Sequence, residues 1–119
     1  MRWLLALALV GGCGGRPPSL GASGVAWPEA DALFAGDAAW LGADGAYSID
    51  LGNGRVLWLF GDSFVATSPA KLRTQAKIVR NSVAIEHGYD PSSATIDFHW
   101  GKSGSAPDSF FAAPAGDWY

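Results

Sequence analysis

Asp44-Gly45-Ala46-Tyr47-Ser48-Ile49-Asp50-Leu51-Gly52-Asn53-Gly54-Arg55-Val56-Leu57-Trp58-Leu59-Phe60-Gly61-Asp62-Ser63-Phe64 is the stretch on which the fold is decided. Its first arm alternates, with Tyr47, Ile49 and Leu51 on one side and Ser48 and Asp50 on the other, the period of a half-buried strand. Its second arm, Arg55 to Phe60, is a nearly continuous apolar run, which predicts a strand buried on both faces. Gly52-Asn53-Gly54 lies between them. Glycine and asparagine accept positive φ at little cost, so this triplet predicts a tight hairpin turn. Asp44 and Asp62 each adjoin a glycine at the outer ends of the two arms, which places two carboxylates at one rim of the sheet.

Two further strands are expected downstream. From Ile78 to Glu86, Val79, Asn81, Val83 and Ile85 share one face, and Arg80, Ser82 and Ala84 the other. From Ala94 to Trp100, Ile96, Phe98 and Trp100 alternate with Thr95, Asp97 and His99. His87-Gly88-Tyr89-Asp90-Pro91 makes the turn between them. The expected fold class is therefore all-β, an antiparallel four-stranded meander of the kind that forms one propeller blade. Val65 to Lys77, polar and containing Pro69, is expected as a loop whose Lys71, Arg73 and Lys77 either face solvent or form a basic lip. Gly101 to Tyr119 is expected as a Gly/Ser/Pro loop leading into Phe110-Phe111.

Upstream, Met1-Arg2 precedes the apolar run Trp3 to Val10 and then Gly11-Gly12-Cys13. A positive start, an apolar core too short to span a bilayer and small residues before a cysteine describe a secretory signal over 1–12. Leu9-Val10-Gly11-Gly12-Cys13 resembles the bacterial lipobox. That resemblance implies lipidation of Cys13, a membrane partner through the anchor, and a place in the bacterial cell envelope; the alternative is an ordinary signal with an incidental cysteine. Residues 13–26, rich in Gly, Pro and Ser, read as a tether to a folded domain over 27–119. Within that domain, Trp27 to Phe34 has Pro28 at a first helical position and early acids, which fits either a short helical turn ended by Gly36 or an irregular entry segment packing Trp27 and Phe34 onto the sheet.

Composition narrows the functions. The chain carries 8 basic and 11 acidic residues, a net charge of −3, and a single cysteine. No intrachain disulfide can form, and nucleic acid is not an expected partner, because phosphate binding relies on basic patches. His87 and His99 lack the spacing of a zinc pair, and no loop has the dense oxygen spacing of a calcium motif, so neither a metal nor a cofactor is expected. Ser63 lacks the pattern of a nucleophile elbow.

Three segments together carry a resemblance: Trp40-Leu41-Gly42-Ala43-Asp44-Gly45-Ala46-Tyr47-Ser48, Leu57-Trp58-Leu59-Phe60-Gly61-Asp62-Ser63-Phe64, and Val79-Arg80-Asn81-Ser82-Val83-Ala84. From Trp27 to Tyr119 the chain resembles a family of bacterial secreted proteins and lipoproteins of unassigned function that look like five-bladed β-propellers, related in architecture to arabinanase- and invertase-like glycoside hydrolases. The resemblance implies a carbohydrate partner, with Asp44 at the position of the catalytic base. The acid in such enzymes is a glutamate from a later blade, whereas this chain offers only Glu29 and Glu86, neither at a matching place. Glycosidases use paired carboxyl groups, about 5–5.5 Å apart for retention and about 6.5–9.5 Å for inversion. Catalysis by this chain alone is accordingly not expected, and the alternative is a non-catalytic lipoprotein that binds glycans or proteins. A complete propeller needs several more blades, so a truncated product with an incomplete propeller is the expectation.

Each candidate has a structural alternative. Asp44 and Asp62 are either substrate-facing carboxylates or turn caps. Arg80, in the polar run Arg80-Asn81-Ser82, binds substrate alongside Asn81 or forms an internal ion pair with Asp44 or Asp62. Trp40 and Trp118, both expected in loops, are sugar-stacking platforms or packing groups.

Overall fold

A computed structural model describes residues 21–114. The expected signal over 1–12, Cys13, the first part of the tether, and Trp118 lie outside the described residues. Residues 21–26 are exposed and without regular structure.

Over the described residues the fold is all-β with one short α-helix. That helix, α1 (Pro28–Phe34), begins as expected with Pro28 in its first turn beside Glu29 and Asp31, and no side chain caps it. Nine strands follow among the described residues: β1 (Trp40–Ala43), β2 (Tyr47–Gly52), β3 (Arg55–Phe60), β4 (Ser63–Val65), β5 (Lys77–Val79), β6 (Ser82–His87), β7 (Thr95–His99), β8 (Gly101–Ser103) and β9 (Ala106–Asp108). They make an antiparallel four-stranded sheet in the order β2-β3-β6-β7, a three-stranded sheet β1-β4-β5, and the hairpin β8-β9. The four-stranded sheet is the meander expected from sequence.

The β2-β3 turn works through its backbone. Asn53 and Gly54, between the paired Gly52 and Arg55, have φ of 54° and 70°, the mirror-image turn that matches strand twist, and Gly52 (φ 74°) sits at a bulge beside it. Asp50 Oδ1 accepts the Gly52 N–H at 2.8 Å and the Tyr89 hydroxyl at 2.8 Å, while the Gly54 N–H donates back to Tyr89 Oη at 3.3 Å. The turn from the β6 end is thus latched to the hairpin.

Cross-strand register sorts the sheet into two faces. Val56, Trp58 and Phe60 share a face with Ser82, Ala84 and Glu86 and with Ile96 and Phe98. This face holds the core: Trp40 stacks on Phe98 with centroids 4.2 Å apart, Trp40 meets Phe60 at 4.9 Å, and Phe34 of α1 stands edge-on to Trp58 at 4.9 Å. Beneath the rings lies a closed polar knot of Ser63 and Ser82, both fully buried. The Ser63 hydroxyl donates to the Gly61 carbonyl (2.8 Å), so the 2.7 Å contact between the serines takes its proton from Ser82, whose oxygen accepts the Trp40 indole N–H at 3.1 Å. The knot joins the two sheets.

The opposite face carries Tyr47, Ile49, Leu51, Leu57, Leu59, Val83 and Ile85, with Asp97 and His99 on β7. Tyr47 is 70% exposed, Ile49 47% and Leu51 42%. This corrects the expectation of a β3 buried on both sides: only Phe60 in it is buried, and Leu57 and Leu59 are half-covered.

Three other expectations are corrected. Ile78–Glu86 is not one strand: it divides at Arg80-Asn81 between two sheets, because the Arg80 N–H donates to Ser109 Oγ and the Asn81 carbonyl accepts the Phe110 N–H, taking both backbones out of a ladder. The segment after Trp100 is not all loop, since it contains β8-β9, turned at Gly104 (φ 62°). Trp40 is not in a loop; it opens β1 and is 8% exposed.

Candidate functional site

The rim where Asp44 lies is built by backbone pairing just beyond β1 and β3. The Asp44 N–H donates to the Asp62 carbonyl at 3.1 Å and the Gly61 N–H to the Asp44 carbonyl at 2.9 Å. Both aspartates are exposed. Gly61 lets the Asp44 carboxylate lie directly over its backbone, since a Cβ there would push Oδ1 aside. Gly45, at φ 57°, turns the chain from Asp44 into β2.

A cleft of about 700 Å³ opens beside this rim, and Asp44, Tyr47, Leu59, Arg80, Asn81 and Phe111 are among the residues that line it. The expected residues Asp44, Arg80 and Asn81 are thus brought together. Asp62 is next to Asp44 through the backbone but does not line the cleft. Trp40 belongs to the core, with its indole N–H on Ser82, and is no stacking platform.

Asn81 has a specific task. Its Oδ1 accepts the Phe111 N–H at 2.7 Å and its Nδ2 donates to the Phe111 carbonyl at 3.2 Å, so the side-chain amide pairs with the tail as a strand edge would. With Phe110 and Ser109 also bound at the β5-β6 break, the tail is held so that Phe111 lines the cleft, as Tyr47 does. Sequence reasoning missed both aromatic walls. Tyr47 carried the signal of a buried strand residue, and Phe111 lies 30 residues from Asn81 with nothing local to link them.

The perturbed ionisations lie away from this cleft. The Gly52 N–H and then the Tyr89 hydroxyl hold the Asp50 carboxyl below its ordinary range, and the same bond to Asp50 pushes the Tyr89 hydroxyl up. Bonds from the Ser92 hydroxyl and N–H lower Asp90. In the polar loop after β4, the Arg73 guanidinium sits 4.3 Å from the centre of the Phe64 ring. His87 and Asp97 approach to 3.7 Å across β6 and β7. Among the described residues no group of three or more His, Cys, Asp or Glu is arranged to hold a metal ion.

An antiparallel all-β domain with an acidic and basic cleft at one rim of its main sheet is the class that these observations define. The chain belongs to the family described as a domain of unknown function, DUF5005, whose model matches residues 29–112. No curated protein and no solved structure matches it.

Proposed function

We propose that this chain supplies a blade of a carbohydrate-binding β-propeller on a bacterial envelope lipoprotein, and that it is not catalytic by itself. The observation that carries the reading is the cleft whose lining includes Asp44 and Arg80 together with the rings of Tyr47 and Phe111. A sugar ring offers C–H faces to aromatic side chains and hydroxyls to a carboxylate and a guanidinium, and concave sites with a few placed polar groups among apolar walls suit such ligands. Asp44 is the one carboxylate among the described residues of that cleft, whereas glycoside hydrolysis uses two. Asp44 therefore accepts hydrogen bonds from sugar hydroxyls, and Arg80 donates them. The blade assignment draws support from the meander order and from the exposed Ile49 and Leu51 of β2, which a neighbouring sheet at about 10 Å would cover. The envelope assignment rests on Leu9 to Cys13.

The alternative, a protein-binding lipoprotein, is favoured by one feature: Tyr47, Ile49 and Leu51 present apolar surface away from the core. Calorimetric titration of the full chain with neutral and acidic oligosaccharides separates the two. Saturable binding weakened tenfold or more in Asp44→Asn supports the glycan reading; no binding to any glycan, or binding that Asp44→Asn and Phe111→Ala leave unchanged, refutes it. Metabolic labelling with a radioactive fatty acid, lost in Cys13→Ser, tests the anchor.

A further inference from the structure

Between α1 and the outer half of the four-stranded sheet lies a second crevice, of about 280 Å³, away from the Asp44 rim. Trp27, Phe34, Trp58, Tyr89, Ser48 and Glu86 are among its walls. Glu86 is only 5% exposed, yet it carries a carboxyl group. Its Oε2 accepts the Trp58 indole N–H at 2.7 Å. Its Oε1 makes no hydrogen bond to a described residue, while no buried side-chain oxygen among them lacks a partner. Oε1 therefore reaches solvent, and the open space that Glu86 borders is this crevice.

A nearly buried carboxylate with one neutral donor is under-compensated, because burying a charge is costly unless an opposite charge or further donors meet it. Among the described residues, no lysine, arginine or histidine lines the crevice. Four of the walls, Trp27, Phe34, Trp58 and Tyr89, are aromatic, and apart from Ser48 and Glu86 itself the others are aliphatic. Ring faces attract cations electrostatically, and an aromatic enclosure closed by a carboxylate is the arrangement that selects a substituted ammonium group over an anion or a neutral molecule. The volume suits a small head group rather than a chain of sugars.

We propose that this crevice binds a small organic cation, a substituted ammonium of the size of choline, with Glu86 as counter-ion and Trp27, Trp58 and Tyr89 as its π walls. The site is separate from the Asp44 cleft and does not depend on the glycan reading. The test follows tryptophan fluorescence of the full chain at constant ionic strength while choline chloride, or its uncharged isostere 3,3-dimethylbutan-1-ol, is added. Choline is expected to give a saturable change, with the isostere at least tenfold weaker. Glu86→Gln keeps an acceptor for Trp58 but removes the charge, and is expected to weaken choline at least tenfold. Trp27→Ala alters an exposed wall without touching the core, and is expected to weaken it several-fold; it decides the matter if Glu86→Gln fails to fold. No saturable response to choline overturns the proposal. So does an equal response to the isostere, a response to neutral monosaccharides in place of choline, a response to phosphatidylcholine vesicles but not to free choline, or choline binding that neither variant weakens.

Discussion

The two faces of the β2-β3-β6-β7 sheet are built from the same strands yet behave differently. One is aromatic and closed: Trp58, Phe60 and Phe98 meet Trp40 and Phe34, and the serine knot satisfies the indole beneath them. The other is aliphatic and partly covered: Val83 is buried and Leu57, Leu59 and Ile85 are half-buried, while Tyr47, Ile49 and Leu51 of β2 are turned to solvent. Alternation in a strand reports that two faces differ, but not which of them is covered. That depends on what the chain places above each, and here α1 and β1 both lie on the face of the even-numbered β3 residues.

The largest effects should separate the faces. Phe98→Ala removes a ring that contacts Trp40, Phe60 and Phe34, and should cost about 3–5 kcal/mol in chemical denaturation. Leu51→Ala on the aliphatic face should cost well under about 1 kcal/mol, since little area there leaves water. Equal losses would show that the exposed part of this face is packed against something in solution. Next comes Ser82→Ala. It orphans the Trp40 indole N–H and breaks the link to Ser63, for an expected loss of about 1–3 kcal/mol. A neutral outcome would mean that the rings alone hold the two sheets together.

Much of this fold was legible. The hairpin at Gly52-Asn53-Gly54, the helix start at Pro28 and the four strands of the meander each rest on local signals: positive-φ residues, a fixed φ, and alternation. What was not legible is non-local. Arg80-Asn81 reads as a polar interruption in a strand, and only the tail 30 residues on explains it, because the Asn81 amide pairs with Phe111. Trp40, flanked by Ala39 and Leu41-Gly42, gave no strand pattern; its burial comes from Phe98, far along the chain. In the candidate cleft, Asp44 and Arg80 were legible as unusual polar groups, whereas Phe111 became part of it only through Asn81.

That tail contact gives a smaller effect, on the cleft rather than the core. Asn81→Ala removes two partly exposed hydrogen bonds and should cost about 1 kcal/mol while freeing Phe111. Hydrogen exchange at the Phe111 amide should then rise, with amides of β3 and β6 unchanged. If exchange rises across β6 as well, the tail is part of the sheet's stability and not just a wall of the cleft.

The smallest effect belongs to the latch at the other end of the hairpin. Asp50 is held below its ordinary value, about 3.9, by the Gly52 N–H and the Tyr89 hydroxyl. Its contribution is thus full above that ordinary value and is lost as pH falls through the lower folded one. Tyr89, raised mainly by its bond to Asp50, behaves oppositely: its contribution is full below about pH 10 and is lost as pH rises through the higher folded value. Both groups are exposed, so the effect is a modest narrowing of the stability plateau at each edge. Tyr89→Phe removes the shared bond, so its small contribution should be missing at neutral pH, where it is full, and the variant should converge on the native chain in acid and in alkali, its stability falling off less steeply at both edges. Because the latch ties a turn to a hairpin, and the rings that meet Phe98 are those of Phe34, Trp40 and Phe60 rather than Tyr89, Tyr89→Phe should leave the loss caused by Phe98→Ala unaltered; a coupling of more than about 0.5 kcal/mol between them would mean that the hairpin end and the aromatic face are one cooperative unit.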